Sequence, residues 1–320
     1  MSHRVSIAGS GRALVLLRGA LGDALMTLPF LAALPEHLRT RGLSLVGQPS
    51  SLSPLAHLSW VAGVHDFNQA DWAGLYSSPA RVTPRLGNFI QDHQAGVVLT
   101  RNPADPIVSG LVRAGLNQVL VVPSRPPAGV HYLDHLFASA GVRPLDRFVI
   151  LTPKNEGLDR ARSFLLAKGL KEKSFLTLHP GSGGAGKNWP LERWLELAEG
   201  LERETRLKTV FLLGPAEEEW IAKLEKEDRV VAGNMPLEVV AGLISLGLGH
   251  AGHDSGVTHL AAALDRPALA IFGPTDPAQW APRGPQTVVV CSRRVEGKTV
   301  AWTWPAAAEV LAAFKELARL

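Results

Sequence analysis

The chain has 320 residues, 46% of them hydrophobic and 19% charged, with a net charge of +4 and one cysteine. That length accommodates two domains of about 150 residues each, and that hydrophobic content is enough for real cores. Cys291 alone excludes an intrachain disulfide, and no run approaches the ~20 apolar residues of a membrane span, so the expectation is a cytoplasmic α/β protein.

Residues 1–12 read as a loose leader, and Arg18 interrupts the only apolar run that a signal peptide could use. Basic residues are too dispersed for nucleic acid, but the charge leaves a phosphorylated ligand or an anionic membrane surface open. Ala13–Leu17 (ALVLL) is a continuous apolar run, the mark of a buried parallel strand. A glycine-punctuated turn from Gly19 to Asp23 feeds an apolar helix, ALMTLPFLAAL, in which Pro29 predicts a kink or a late first turn. Strands follow at 43–47, 61–67, 96–100 and 119–122, with helices at 79–92, 106–114 and 131–140 between them.

From Val142 to Lys173 the texture becomes proline- and charge-marked, which places a linker and a basic helix there. A second series then runs through a strand at 175–178, a helix at 191–204, a strand at 209–213, an acidic helix at 216–227 and a helix at 236–246. The stretch His253–Pro277 adds a turn, an alanine-rich helix and the strand Ala268–Phe272. A strand at 288–291 and an amphipathic helix at 305–320 close the sequence. Strands alternating with helices imply right-handed crossovers and two Rossmann-like, doubly wound domains facing a cleft. The expected division is 1–160 and 161–304.

Ligands of such sheets bind beyond the carboxyl ends of the strands, so the loops there carry the chemistry. Asp254 and Ser255 stand at the N-cap of the alanine-rich helix, and Gly256 opens its backbone to a ligand. The first-turn N–H groups and the helix dipole favour an anion at that end. Ser255 and His259 are four apart and can face one ligand; an ordinary capped helix explains the same residues. His179–Pro190 (HPGSGGAGKNWP) is a glycine-rich loop with a point charge at Lys187. It nearly spells a Walker A loop, but Asn188 stands where a serine or threonine would bind magnesium. Glu217, after the strand TVFLL, either favours its own helix dipole or accepts hydrogen bonds from a ribose. Asp23 either caps its helix or serves as a general base. The histidines form no HExxH or Cys/His metal pattern.

Four segments together, GALGDALMTLP, HPGSGGAGKNWPLERW, LLGPAEEE and HDSGVTHLAAALDRPALAIFGPTDP, resemble the signature segments of the heptosyltransferase-like glycosyltransferases, family nine. The resemblance implies a GT-B fold, with the acceptor on the first domain, the nucleotide-sugar donor on the second, and the closing helix 305–320 packed back on the first. It implies an inverting, metal-independent transferase without a cofactor, moving a sugar, often a heptose from an ADP donor, onto a lipopolysaccharide-type acceptor. By position Asp23 matches the catalytic base, Lys187 the lysine near the donor phosphates and Glu217 the ribose-contacting carboxylate. Asp254, Ser255, Gly256 and His259 match the diphosphate and donor-sugar cluster. Two departures stand out: His253 replaces the asparagine common before Asp-Ser-Gly, and the tail after Cys291 is short and carries AWTW at 301–304. Other readings are a sugar-nucleotide-binding protein without transfer activity and a P-loop-like nucleotidase.

Overall fold

The computed structural model describes residues 11–77, 82–184, 186, 188–295 and 301–320, which form two compact units, Met1–Val149 and Ile150–Leu320. The expected leader, apart from its last two residues, and Lys187 lie outside the described residues.

The first unit is built on β1 (Arg12–Leu17), β2 (Leu43–Gly47), β3 (Val61–Asp66), β4 (His93–Thr100) and β5 (Val119–Pro123). They form one parallel sheet in the order β3-β2-β1-β4-β5. Burial of β1 from Ala13 to Leu17 follows from its unbroken apolar run, since helices cover both faces of a central parallel strand. Leu14, Leu16, Val46, Val98, Ile107 and Leu111 belong to the core on one of those faces. Pro29 does not kink one long helix: a first helix, Leu21–Met26, ends at Thr27 and a second, Leu28–His37, begins with proline in its first turn. Proline lacks the N–H that a helix interior needs, and the first turn does not use it.

The second unit uses β6 (Phe175–His179), β7 (Lys208–Leu213), β8 (Val230–Gly233), β9 (His250–His253), β10 (Ala268–Phe272) and β11 (Thr287–Cys291). Their parallel order is β11-β10-β9-β6-β7-β8. A short antiparallel pair, β12 (Arg293–Val295) with β13 (Ala301–Thr303), stands apart from that sheet. Neither β8, β9 nor this pair is predicted by the sequence patterns. The helix Asn155–Ala167 packs on the helix Leu237–Leu246 and so belongs to the second unit, placing the division at Val149/Ile150 rather than at 160/161.

The closing helix, Ala307–Ala318, also corrects an expectation. It lies within the second unit's core, where Ala307, Val310, Leu311 and Phe314 are buried alongside Trp194 and Leu197. Two glycines make room for it. A Cβ at Gly200 would meet Leu311 at 2.9 Å, and one at Gly249 would meet Phe314 at 3.0 Å. Lys315 adds an ion pair to Glu204 at 2.6 Å.

In both sheets the strand order reverses beside the first strand of the unit, between β1 and β4 and between β6 and β9. Loops leaving the carboxyl ends of those strands run in opposite directions and leave a crevice, the usual ligand position of an open α/β sheet.

Candidate functional site

At the first crevice the loop after β1 meets the loop after β4. Asp105 caps the helix Pro106–Arg113, accepting the Ile107 N–H at 3.1 Å through Oδ1. Its other oxygen takes the Thr100 hydroxyl at 3.1 Å and an ion pair from Arg18. Arg18 also donates to the Tyr76 hydroxyl at 2.8 Å and lies 5.3 Å over the Phe67 ring. Burial pushes the Asp105 carboxyl up, but the bonds from Arg18, Ile107 and Thr100 outweigh it and hold it below the ordinary value. Apart from Arg18 as the end of an apolar run, none of this cluster carries a sequence signal. Its members are brought together from up to 87 residues apart.

Asp23 sits in the first turn of Leu21–Met26, half-buried, and its Oδ2 accepts the Ala20 N–H at 2.8 Å. A Cβ at Gly19 would stand 2.5 Å from that carboxylate, so the glycine lets the turn close over it. The capping role is therefore present in the geometry. Nearby, burial above all pushes the Tyr132 hydroxyl up to about 12, so it stays protonated at neutral pH.

The second crevice gathers most of the expected donor residues. The helix Gly256–Ala263 starts at its N-cap Ser255, whose hydroxyl makes no capping bond; it lies 3.3 Å from the Thr258 hydroxyl. Thr258 in turn donates to the His253 carbonyl at 2.6 Å. The Ser255 hydroxyl thus does not cap the helix head, which carries partial positive charge. Asp254 to Val257 are only half-buried, whereas His259 behind them is buried, with Nε2 3.8 Å from Asp254. Asp254, Ser255, Gly256 and His259 therefore share the head of one helix, as their spacing predicts.

Across the crevice the loop after β6 begins at His179. Its Nδ1 donates to the Leu212 carbonyl at 2.8 Å, and burial lowers its pKa despite the nearby Glu217 carboxylate. Glu217 is itself buried and accepts the Gly214 N–H at 2.9 Å, at the start of its own helical turn. Its second oxygen lies against Gly181 of the loop, where a Cβ would stand 2.1 Å away. Glu218 and Glu219 are exposed in the first turn of the next helix, where they suit its dipole.

Ser182 donates to Asn188 at 2.7 Å and so pins the loop's middle to its end. The following helix starts only at Leu191, behind Pro190. Asn188 offers no hydroxyl for magnesium, so the near-Walker spelling departs from a Walker A loop at that position.

Residues 148–305 match the model of glycosyltransferase family 9 (heptosyltransferase). Lipopolysaccharide heptosyltransferase 1 of Salmonella typhimurium is 38% identical over 109 residues, 33% of this chain and 34% of that protein. The chain thus matches about a third of the length of that curated relative. Among solved structures, the glycosyl transferase family 9 from Veillonella parvula DSM 2008 superposes with a TM-score of 0.79 at 17% identity, covering 97% of this chain and 98% of that one. The E. coli ADP-heptose lps heptosyltransferase II gives 0.74 at 17% identity, covering 96% and 98%. The fold is accordingly GT-B, two Rossmann-like units in one chain. The match over 148–305 takes in nearly all of the second unit, which is thus similar to glycosyltransferase family 9.

Proposed function

We propose that the protein is an inverting, metal-independent glycosyltransferase that moves a heptose from an ADP-linked donor to a lipopolysaccharide-type glycan acceptor. The observation that carries this reading is the second crevice, where a helix head whose N-cap Ser255 makes no capping bond lies beside a glycine-rich loop. A diphosphate suits that place, because backbone N–H groups and the helix dipole stabilise an anion without an ion of opposite charge. Lys187, from the loop, supplies the point charge, Glu217 the contact to the ribose, and Asp254 with His259 the contacts to the diphosphate and sugar. The names of the similar proteins, which include ADP-heptose and lipopolysaccharide, support the choice of donor and acceptor.

In the transfer, the acceptor oxygen attacks the anomeric carbon from the face opposite the leaving group. The bond from that carbon to the diphosphate breaks, and the hydroxyl proton passes to Asp23. Charge growing on the diphosphate oxygens is met by donors already in position, which is the largest contribution such a site makes. Domain closure excludes water and limits hydrolysis of the donor. The acceptor glycolipid brings the first unit to the anionic face of the membrane, at the cytoplasmic side. No helix among the described residues is long and apolar enough to cross a membrane.

Calorimetry with ADP in excess chelator tests the donor half of this reading. Binding is expected to persist, and binding that disappears and returns only with magnesium would overturn the metal-free mechanism. A second reading, a sugar-nucleotide-binding protein without turnover, is favoured by the bond that already engages Asp23 as a cap. Release of ADP in the presence of an acceptor separates the two.

A further inference from the structure

The two sides of the second crevice are tied together by one side chain. His253 ends β9 and is completely buried. Its Nε2 accepts the backbone N–H of Trp189 at 2.9 Å, at the end of the glycine-rich loop. Its Nδ1 therefore carries the ring proton and points at the Ile271 carbonyl of β10, 3.4 Å away. Both nitrogens are committed, one to the loop and one to the neighbouring strand.

The ring is also held by two indoles. Trp194 meets it edge-on with centroids 5.3 Å apart, and Trp304 with centroids 5.8 Å apart. Trp189 packs on Trp194 at 5.4 Å, and its own indole N–H donates to the Pro305 carbonyl at 3.2 Å. Trp304 lies across Gly273, where any Cβ would come within 2.5 Å of the indole. The two departures noted in the sequence, histidine at 253 and the tail at 301–304, are thus in contact and form one device.

We infer that His253 is a positioning residue for the donor: it sets the end of the glycine-rich loop against the head of the helix Gly256–Ala263, and Trp304 braces it there. The inference rests on the donor reading of this crevice. His253 is covalently next to Asp254, and the amide it holds belongs to the residue two places after Lys187. A change at this one ring therefore moves both walls of the proposed diphosphate seat. A neutral imidazole suits the task, because a lone pair is needed for the Trp189 amide and a cation would compete for the anion. Burial keeps it neutral, lowering its pKa to about 3.

The test uses the full chain, ADP as the probe, and two variants. His253→Phe keeps an aromatic ring between the tryptophans but offers no acceptor; His253→Gln offers a side-chain carbonyl again. ADP affinity measured by calorimetry is expected to fall about tenfold or more in the phenylalanine variant, the effect of one buried amide left unsatisfied. The glutamine variant is expected to remain within about threefold of the parent. Hydrogen exchange of the Trp189 amide, followed without nucleotide, is expected to quicken in the first variant and not in the second. Equal ADP affinity in a folded His253→Phe protein, or glutamine as damaging as phenylalanine, would overturn the inference. Unchanged exchange at Trp189 would overturn the anchor independently of any ligand. Failure of the parent protein to bind ADP would instead sink the donor reading, leaving exchange to judge the anchor. Should His253→Phe not fold, His253→Met removes the acceptor with less bulk and carries the same comparisons.

Discussion

In the first unit the crevice at the strand reversal is bridged by an ion pair, Arg18 to Asp105; in the second it is bridged by a neutral imidazole, His253, holding a backbone amide. The contrast extends to the surrounding charge. Residues 1–149 contain 12 arginines, no lysine and 8 acidic side chains, so the whole net charge of +4 lies in that unit. Residues 150–320 balance 21 basic against 21 acidic side chains. The unit proposed to hold a diphosphate is therefore the neutral one. The anion recognition proposed there is local and directional, through helix N–H groups, while the other unit presents a diffuse field. A charged bridge at the second crevice would add its own desolvation and its own partner to the seat; a neutral one leaves the helix head to the ligand.

If proton transfer belongs to the first crevice and anion binding to the second, Asp23→Asn should separate them most sharply. Asparagine can still accept the Ala20 N–H, so the fold and ADP binding should persist, while turnover drops about 10²- to 10⁴-fold. Near-normal turnover would make Asp23 a cap only, and would break the division of labour between the units.

Acid should expose a second difference. His250 and His253 are pushed to about 3 by burial, and His179 is lowered for the same reason. Unfolded, such rings titrate near ~6.5, so above that pH both states carry the same protons and these groups contribute nothing. Between ~6.5 and about 3 the unfolded chain takes up protons that the folded His250 and His253 refuse, and the second unit loses stability steadily as pH falls. Below that range the loss levels off. Asp105 in the first unit behaves differently: its lowered pKa contributes stability that is present above ~4 and lost as pH falls through the folded value. His65 and His93 also lean towards acid sensitivity in the first unit, so the expected outcome is a steeper loss in the second. Hydrogen exchange followed unit by unit from pH 7 to ~5 reads it. Earlier opening of the first unit would contradict the contrast.

Gly181→Ala probes the second crevice alone. The new Cβ must displace Glu217 and break its bond to the Gly214 N–H, at a cost of about 1–3 kcal/mol in stability, with weaker ADP binding. A melting temperature and an affinity both unchanged would mean that Glu217 moves aside freely. The smallest expected effect is that of Lys187→Ala, a loss of roughly tenfold in ADP affinity with stability unaltered, as for one charge-assisted contact. Unaltered affinity would assign the seat to backbone groups alone and sharpen the contrast with the arginine-bearing unit.

Where a strand is an unbroken apolar run, as at Ala13–Leu17 or Ala268–Phe272, its place in a buried parallel sheet is legible from composition alone. β9 is not legible in this way. Its sequence HAGH has no β-branched residue and no Phe, Tyr or Trp, and only its pairing with β6 and β10 makes it a strand. This is also the strand that delivers His253, so the missed element and the missed site residue are one gap. The grouping of Asp254, Ser255, Gly256 and His259 is readable because helical periodicity is local. The bond from His253 to Trp189 spans 64 residues, and no local pattern encodes it. The closing helix shows the same limit. Its stripe Ala307, Val310, Leu311, Phe314 announces a buried face, but the surface it meets is marked only by Gly200 and Gly249, far away in sequence.

Because the helix Ala307–Ala318 stays with the second unit, the described chain passes from one unit to the other once, at Val149–Ile150. Recombination between relatives then requires a single junction: a second unit with its own closing helix can be joined to a foreign first unit without matching a second crossing. Gene fusion, by chance or by design, can exchange the first unit while inheriting the second intact.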